Sequence, residues 1–276
     1  MVAWAEWKRS DIKYHAPAVY ATGHDGKRSS RYTFVSSEKV IEAFGAAGWG
    51  VASAQQGNSR IAKRAQHGRH ILRFRPRDKD LAMRDLRPGK SGVVYPEIIC
   101  LNSSDGSSPW RLESGAFSSI CENGLWVSVP GFEMAEDAQT RRHRSFDPGL
   151  AYAAAERMTG LFGDLKDTVT EMAETQLTPA QREQLATEAW HTRHPDWPAL
   201  GELKGAPVLL TERRPEDSGS DLWTTYNVIQ ENCIRGGYRL RTSSVAPISS
   251  VARTREINAA LWANAEKALE RASLQA

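Results

Sequence analysis

The sequence predicts an α+β fold, in which an antiparallel β-meander with one short helix precedes a mainly helical C-terminal half. Residues 69–76 and 95–101 are strand-length runs with alternating or continuous apolar side chains. Helical periodicity runs through residues 147–175, 179–191 and 221–235. Because the strand-length runs are separated by loops rather than by long helices, we expect neighbouring strands to pair in antiparallel fashion.

The β-rich half opens on a strand, helix, strand unit. Residues 32–35 (YTFV) and 49–56 (WGVASAQQ) are predicted strands. Between them, Val40, Ile41 and Phe44 fall on one helical face, behind a cap supplied by one of two serines. Glycines then end the helix. The predicted helix therefore has one apolar face to bury against the strands that follow.

The rest of the first half is predicted to continue the meander. Residues 57–68 are typical of a polar, basic hairpin tip, and residues 102–108 (NSSDGSS) form a turn centred on an Asp-Gly pair. A helix of small residues is predicted over residues 115–121 (GAFSSIC), and a further strand over residues 125–129 (LWVSV). The predicted sheet thus ends before the helical half begins.

The second half is predicted to be helical, with one irregular segment. A single long helix covers residues 147–175, and the sequence TPAQ from residue 178 is a capping-box start for the next helix. The helix over residues 221–235 is closed by a pair of glycines. Residues 238–253 lack periodicity and are predicted to be a flexible loop, after which a last helix begins at Thr254.

Composition indicates an intracellular globular protein. With 276 residues and 40% apolar side chains, the chain is long enough for a substantial core. Its 3 cysteines are odd in number and widely spaced, so neither a disulfide framework nor a zinc ribbon is indicated. No window approaches the ~18 apolar residues of a membrane span. We expect a cytoplasmic protein without membrane association, organised as an N-terminal arm (1–30), a β-rich nucleic-acid-binding core (31–146) and a helical region for packing and oligomerisation (147–276).

Basic residues are concentrated in three segments, although the formal net charge is only +3. Residues 60–90 hold eleven Lys or Arg against three acids, and residues 235–255 hold five arginines and no acid. A third cluster lies at residues 141–144, whereas residues 151–225 are predominantly acidic. Such polarisation is typical of a protein with one strongly positive surface that binds a polyanion.

The predicted strand over residues 69–76 has the pattern most relevant to such a partner. Arginines at positions 73, 75 and 77 alternate with apolar side chains, so one face is predicted to pack and the other to be cationic. Same-face side chains repeat every ~6.6 Å along a strand, which suits contact with several phosphates. The alternative is a face that is merely solvated. The candidate DNA-binding residues of the three segments are Arg60, Lys63, Arg64, Arg69, Arg73, Arg75, Arg77, Arg141, Arg142, Arg235, Arg239 and Arg241.

Four sequence strings carry a resemblance that covers nearly the whole chain. They are PEIICLNSSDGSS, GAFSSICENGLW, DLWTTYNVIQENCIRGG and INAALWANAE. In this order and at these distances, they resemble a family of prophage and plasmid proteins known as domain of unknown function nine-three-two. Members of that family have His where this chain has Ser104, and a basic residue where it has Ser118. If those positions are catalytic in the family, the resemblance implies that this chain has lost the activity.

A second, shorter resemblance carries a function. Residues 32–56, centred on the sequence FGAAGW, are similar to the helix-to-strand core of the Rad-fifty-two superfamily of single-strand annealing proteins. In that superfamily, a helix with this ending leads into an antiparallel meander. This chain departs from the superfamily after the meander, where the short GAFSSIC element replaces a long basic helix. The resemblance implies a backbone-clamping groove that continues through a ring or filament of protomers.

Enzymatic alternatives find weaker support. Histidine pairs at residues 67–70 and 191–194 lack carboxylates at ligand spacing, so no metal site is predicted. Asp196, Glu202 and Lys204 resemble the acidic and basic groups of metal-dependent nucleases, but they fall together in one loop instead of on neighbouring strands. No Walker-type loop is present, so ATP-driven strand exchange is not supported.

These patterns predict a non-enzymatic protein that binds single-stranded DNA along its phosphates and promotes annealing. Base edges would stay free to pair with a complementary strand. Because base pairing supplies the free energy, no cofactor is expected. The expected partners are single-stranded DNA and further copies of the chain. Two other classes stay open: a metal-dependent nuclease, and a non-enzymatic mobile-element protein that inhibits a host defence complex.

Overall fold

The fold is described by a computed structural model over residues 4–26, 33–57, 65–86, 92–119, 123–126, 147–196, 203–240 and 243–274. The helices are α1 (Arg9–His15), α2 (Ser37–Ala46), α3 (Gly149–Gly160), α4 (Phe162–Glu174), α5 (Pro179–Arg193), α6 (Leu222–Arg235) and α7 (Val251–Ser273). The strands are β1 (Trp49–Gln56), β2 (His70–Pro76), β3 (Met83–Arg84), β4 (Val93–Asn102), β5 (Arg111–Ser118), β6 (Asn123–Trp126), β7 (Arg239–Leu240) and β8 (Ser243–Ser244). The predicted α+β class is confirmed.

One antiparallel sheet contains all the strands that the structure describes in the first half of the chain. Its order is β1, β2, β4, β5, β6, with the short β3 paired to the start of β4. Since strands adjacent in the sheet follow one another along the chain, the predicted meander is confirmed. The register pairs Arg73 with Ile99 and Tyr95 with Phe117. Side chains alternate between faces, so this register decides which residues meet on each side of the sheet.

The first face of the sheet carries the main hydrophobic core. Leu72, Phe74 and Ile98 project to it and are fully buried. The Phe44 ring of α2 stacks on that of Phe74, with ring centroids 4.3 Å apart. Helix α3 contacts both α2 and β4. This core therefore ties the sheet to the helix before it and to the first helix of the C-terminal half.

The second face of the sheet meets the C-terminal helices. Ile71, Ile99 and Trp126 form an apolar cluster with Val251 of α7. Every residue of β2 is buried. The expectation that β2 has one packed and one open, cationic face is therefore wrong. Alternation along the strand is as predicted, but the helical half folds back over the face that carries the arginines.

The helix predicted over residues 147–175 is two helices. Between α3 and α4, Leu161 has φ −89° and ψ 1°, and its N–H still bonds to the Arg157 carbonyl. Gly160 and Gly163 flank the break. A glycine inside a helix costs about 1 kcal/mol relative to alanine, so two of them weaken the junction. The next helix, α5, has the predicted capping box between Thr178 and Gln181.

Local propensity misleads in two places of the β-rich half. The helix predicted over residues 115–121 is wrong, because residues 115–118 belong to β5 and pair with both β4 and β6. The strand predicted over residues 32–35 is not formed by residues 33–35, the part that the structure describes. This segment leads into α2, where the Ser36 side chain accepts a hydrogen bond from the Lys39 N–H.

Two segments in which no helix or strand was predicted contain regular structure. The N-terminal arm includes α1, and residues 238–253 include the β7–β8 hairpin. Helix α7 begins at Val251 under a Ser250 cap, three residues before the predicted start. Gly236, with φ +62°, ends α6 as predicted. Across the described ranges, none of the helices has the length and apolarity that a membrane span requires.

Candidate anion-binding cleft

A cleft of about 560 Å³ lies between the second face of the sheet and the C-terminal helices. Its floor is formed by side chains of β1, β2, β4 and β5. Gln230 and Ile234 of α6 and Thr254 and Asn258 of α7 form the opposite wall. We call it the arginine cleft, because two arginines of β2 lie at its floor. Its volume falls in the range of ~300–1,000 Å³ that is usual for ligand pockets.

The N-terminal segment closes one side of the arginine cleft with aromatic side chains. Trp4 and Trp7 both line it. The Trp7 N–H donates to the Val51 carbonyl at 2.8 Å, so the segment lies along the outer edge of β1. Trp4 is held by a hydrogen bond from its Nε1 to the Pro76 carbonyl, 3.2 Å long. Both indoles are only partly buried.

Two arginines share one carboxylate at the floor of the cleft. Arg73 Nη1 lies 2.5 Å from Glu97 Oε2, and Arg75 Nε lies 2.8 Å from Glu97 Oε1. Arg73 and Arg75 are 8% and 5% exposed, and Glu97 is fully buried. Arg73 also packs over the Trp126 ring, with its Cζ 4.3 Å from the ring centroid. Because a buried charge without a partner is costly, Glu97 fixes both guanidinium groups in place.

Arg75 presents unused hydrogen-bond donors to the cleft. Its Nε is bound to Glu97, and its guanidinium packs on the Phe117 ring with Cζ 3.3 Å from the centroid. Its terminal nitrogens have no acceptor among the residues that the structure describes. Burial lowers the pKa of Arg75 and Glu97 opposes the shift, and an arginine stays charged in either case. A planar fork of free N–H groups is suited to a carboxylate or a phosphate.

Two hydroxyl groups in the cleft also lack partners among the residues that the structure describes. Tyr95 is 4% exposed and lines the cleft, and its hydroxyl makes no hydrogen bond within the described ranges. On the opposite wall, the buried Thr254 Oγ1 has no partner among the described residues. Gln230 Nε2 donates to Asn258 Oδ1 at 2.7 Å. Buried polar groups are normally paired, so these hydroxyls are candidates for ligand contact.

The structure brings three of the sequence-predicted site residues together. Arg73, Arg75 and Arg235 all line the arginine cleft, although they come from two different arginine-rich segments. Arg235 lies at its rim, 3.2 Å from Glu231, with a side chain that is 43% exposed. The third segment, with Arg141 and Arg142, lies outside the described residues, as do Arg60, Lys63, Arg64 and Arg241.

The remaining described candidates lie away from the cleft. Arg77 binds Glu6 through two hydrogen bonds of 2.9 and 2.7 Å, and it also donates to the Gly45 carbonyl. Arg69 and Arg239 are exposed, and neither lines the cleft. The predicted row of three arginines along one open face is therefore replaced by a buried pair and a separate ion pair.

No metal centre emerges from the described part of the chain, where no group of three or more His, Cys, Asp or Glu side chains is arranged to hold an ion. His70 is buried and bonded to Ser37 Oγ at 2.7 Å, and His194 is bonded to the Tyr238 hydroxyl at 2.7 Å. Glu202, one member of the nuclease-like set, lies outside the described residues.

Sequence reasoning missed the two residues that shape the floor, Glu97 and Tyr95. One signal for Glu97 was present, because it is the only charged residue in the apolar run of β4, VVYPEIICLN. A lone carboxylate in a strand that is buried throughout requires a basic partner. Which base supplies it depends on the sheet register, and that information is not local.

The fold and the cleft define an α+β protein with a buried arginine pair between its sheet and its C-terminal helices. Residues 25–265 match the family model "Domain of unknown function (DUF932)", and the chain belongs to this family. It is 30% identical over 271 residues to UPF0380 protein YfjQ of Escherichia coli strain K12, covering 95% of this chain and 91% of that protein. UPF0380 protein YafZ of the same strain is 30% identical over 268 residues, with the same coverage. No solved structure matches the chain. The link to the Rad-fifty-two superfamily stays a prediction.

Proposed function

We propose that this protein binds single-stranded DNA and promotes annealing of complementary strands, without ATP and as an assembly of several copies. The observation that supports the proposal is the Arg75 guanidinium, a buried cation that lines a cleft with aromatic walls and whose terminal nitrogens have no acceptor among the described residues. Proteins that bind single strands combine cationic contacts to the backbone with aromatic side chains on which bases stack. The arginine cleft contains both kinds of group.

The depth of the cleft favours a single strand over a duplex. Arg73 and Arg75 are less than a tenth exposed, so a phosphate must enter the cleft to reach them. A duplex holds its phosphates on the outside of a stiff cylinder, whereas a single strand can bend one linkage inward. Trp4 lines the cleft, and we expect it to stack on a neighbouring base.

The cleft has room for only a short piece of a strand, and this supports the proposal of an assembly. Longer DNA would pass from one protomer to the next across exposed basic side chains such as Arg69 and Arg239. These outer contacts would be screened by salt, with a log-log slope of about −0.7 per phosphate neutralised. Annealing then requires only that bases between neighbouring clefts stay accessible.

The test is binding of a fluorescent oligothymidylate by variants of Arg75. Arg75→Met removes the fork but leaves Arg73 to neutralise Glu97, so the fold should be retained. We expect the dissociation constant to rise at least about tenfold, and the salt slope to flatten by about 0.7. Arg271→Ala is the matched control, because Arg271 pairs with Glu188 away from the cleft. Wild-type affinity in Arg75→Met, or no binding by the wild type at low salt, contradicts the proposal.

Annealing is tested separately, by the rate at which two labelled complementary oligonucleotides pair. We expect the wild type to accelerate pairing without ATP, and Arg75→Met to lose most of this acceleration. Tight binding of oligonucleotides with no acceleration would contradict the annealing part of the proposal and leave the binding part intact. Parallel measurements with oligouridylate establish whether RNA is bound as well.

A further inference from the structure

Aromatic rings connect the arginine cleft to the outer surface of helix α1. Trp7 lines the cleft, and its indole lies against the His15 ring, with ring centroids 4.8 Å apart. The His15 ring in turn meets the Tyr14 ring, with centroids 5.0 Å apart and an interplanar angle of 84°. A row of three rings therefore runs from the wall of the cleft to Tyr14, near the end of α1.

Tyr14, the last ring of this row, is 84% exposed. Helix α1 is anchored to the core through Ile12, its buried residue. Successive residues of a helix are ~100° apart around its axis, so Tyr14 lies on the face roughly opposite Ile12 and points away from the core. The Tyr14 ring therefore contributes little to the packing of the fold, and most of its surface is accessible to a partner.

Lysines accompany the exposed ring on α1. Lys8 and Lys13 are both exposed, and neither forms an ion pair within the described ranges. The acid of this helix, Asp11, accepts a hydrogen bond from the Lys8 N–H at 2.9 Å. Two further acids near this segment are bound to arginines, in the pairs Glu6–Arg77 and Glu38–Arg9. Helix α1 thus presents an exposed aromatic ring together with exposed cations, the combination that binds single strands.

From this continuity we infer that a single strand leaves the arginine cleft over α1, with one base stacked on Tyr14 and its backbone beside Lys13. The inference rests on the proposed function and specifies the path of the strand outside the cleft. A strand with a phosphate at Arg75 has its neighbouring base beside Trp4 and Trp7, and the bases that follow meet the row that ends at Tyr14. Every base has a π-face, so this contact is independent of sequence.

The composition of this surface favours a nucleic acid over a protein as its partner. Protein interfaces bury ~800 Å² on each side and are depleted in lysine. On α1, Tyr14 is the only large apolar side chain that is exposed, and lysine follows or precedes it on the same helix surface. Stacking of a base requires only one ring, and the phosphates beside that base require cations. Both requirements are met on α1.

The test is binding of a fluorescent oligothymidylate of about 16 nucleotides, long enough to extend beyond the cleft. We expect Tyr14→Ala to raise the dissociation constant at least about fivefold without changing the salt slope, because the ring is uncharged. Lys13→Ala should flatten that slope by about 0.7. Tyr152→Ala is the matched control, because Tyr152 is a 47% exposed tyrosine of α3, a helix that contributes no residue to the lining of the cleft.

Tyr14→Trp separates stacking from an indirect effect, because it keeps an aromatic ring at this position. We expect this variant to bind with at least wild-type affinity. In addition, oligothymidylates with 5-iodouracil at one position each should crosslink to Tyr14 on illumination. Wild-type affinity in Tyr14→Ala overturns the inference, and it is also the result expected if Tyr14 serves a protein partner. A loss of affinity that Tyr14→Trp fails to restore overturns it as well.

Failure of the proposed function gives a different result from failure of this inference. If the proposed function is wrong, the wild-type protein does not bind the oligothymidylate at all. If only the path over α1 is wrong, binding persists and still depends on Arg75, whereas the substitutions of Tyr14 and Lys13 leave both the affinity and the salt slope unchanged.

Discussion

At the scale of single residues, burial decides which polar side chains are available for function. Cys100 is fully buried, and burial raises the pKa of its thiol to about 12, so it is unreactive at neutral pH. Arg75 is nearly as buried, but it lines a cavity, where its terminal nitrogens meet no acceptor from the described part of the chain. A charged group in a cavity can exchange lost hydration for ligand contacts, whereas a group packed in the core cannot.

His70 gives a prediction at this scale. Burial lowers its pKa to about 4, against 6.5 for an exposed histidine, although the hydrogen bond to the Gly68 carbonyl opposes the shift. Between these values the unfolded chain binds a proton that the folded protein does not. The free energy of unfolding should therefore fall as the pH drops from 6.5 toward 4, by up to ~3 kcal/mol from this residue.

Urea denaturation at pH 7 and at pH 5 measures the effect. We expect wild-type stability to fall by about 2 kcal/mol more than that of His70→Gln over this interval, because glutamine does not titrate. The difference between the two proteins isolates His70 from carboxylates that titrate in the same range. Equal pH dependence in both would show that His70 is not buried in its neutral form.

At the scale of elements, sequence signals that act within a few residues correctly predicted helix caps and the bounds of one strand. The capping box of α5 and the serine cap of α2 are present as predicted, and β1 spans the predicted residues. Element type was wrong for residues 115–118, where Gly115, Ala116 and Ser118 are small side chains without strong strand propensity. Pairing with both neighbouring strands decides their conformation, and it cannot be read from a local window.

Alanine substitutions of two glycines test whether close packing between strands decides the conformation of β5. One glycine lies in β5, and the other, in α4, is the comparison. A Cβ on Gly115 would lie 2.7 Å from Ile99 Cδ1 and 2.8 Å from the Leu125 carbonyl oxygen, which belongs to the backbone of β6. We expect Gly115→Ala to lower the free energy of unfolding by about 1–3 kcal/mol. In α4, Gly163 has nothing within 4 Å of an added Cβ. Gly163→Ala should raise stability by up to ~1 kcal/mol, since alanine is the better helix former.

Thermal and urea denaturation of both variants measure these changes. The two substitutions add the same methyl group, so opposite signs separate strand packing from helix propensity. A stabilising effect of Gly115→Ala would mean that β5 and β6 are not packed as closely as described.

At the scale of the whole molecule, the cleft exists because the C-terminal helices return to the sheet. Arg255 of α7 binds Glu113 of β5 at 2.6 Å, and Val251 packs in the apolar cluster of the second face. These contacts set the distance between the floor and the helical wall. The N-terminal segment then completes the enclosure through Trp4 and Trp7.

The proposed assembly is tested at the same scale by measuring mass with and without DNA. Light scattering coupled to size exclusion should give multiples of the protomer mass when a long oligothymidylate is present. Arg75→Met should assemble less on DNA at the same concentration, because fewer protomers are bound to the strand. A wild-type protein that stays monomeric on long oligonucleotides would contradict the ring or filament.

The sequence by itself determined the fold class, most helix positions and the main strands, because periodicity, caps and turns depend on interactions between residues close in the chain. It also identified Arg73, Arg75 and Arg235 as candidates. Only the tertiary structure decided that these residues share one cleft and that Glu97 lies between two of them. The physical reason is that such contacts join distant parts of the chain: Glu97 is 24 residues from Arg73, and the helices that cover both lie beyond the entire sheet.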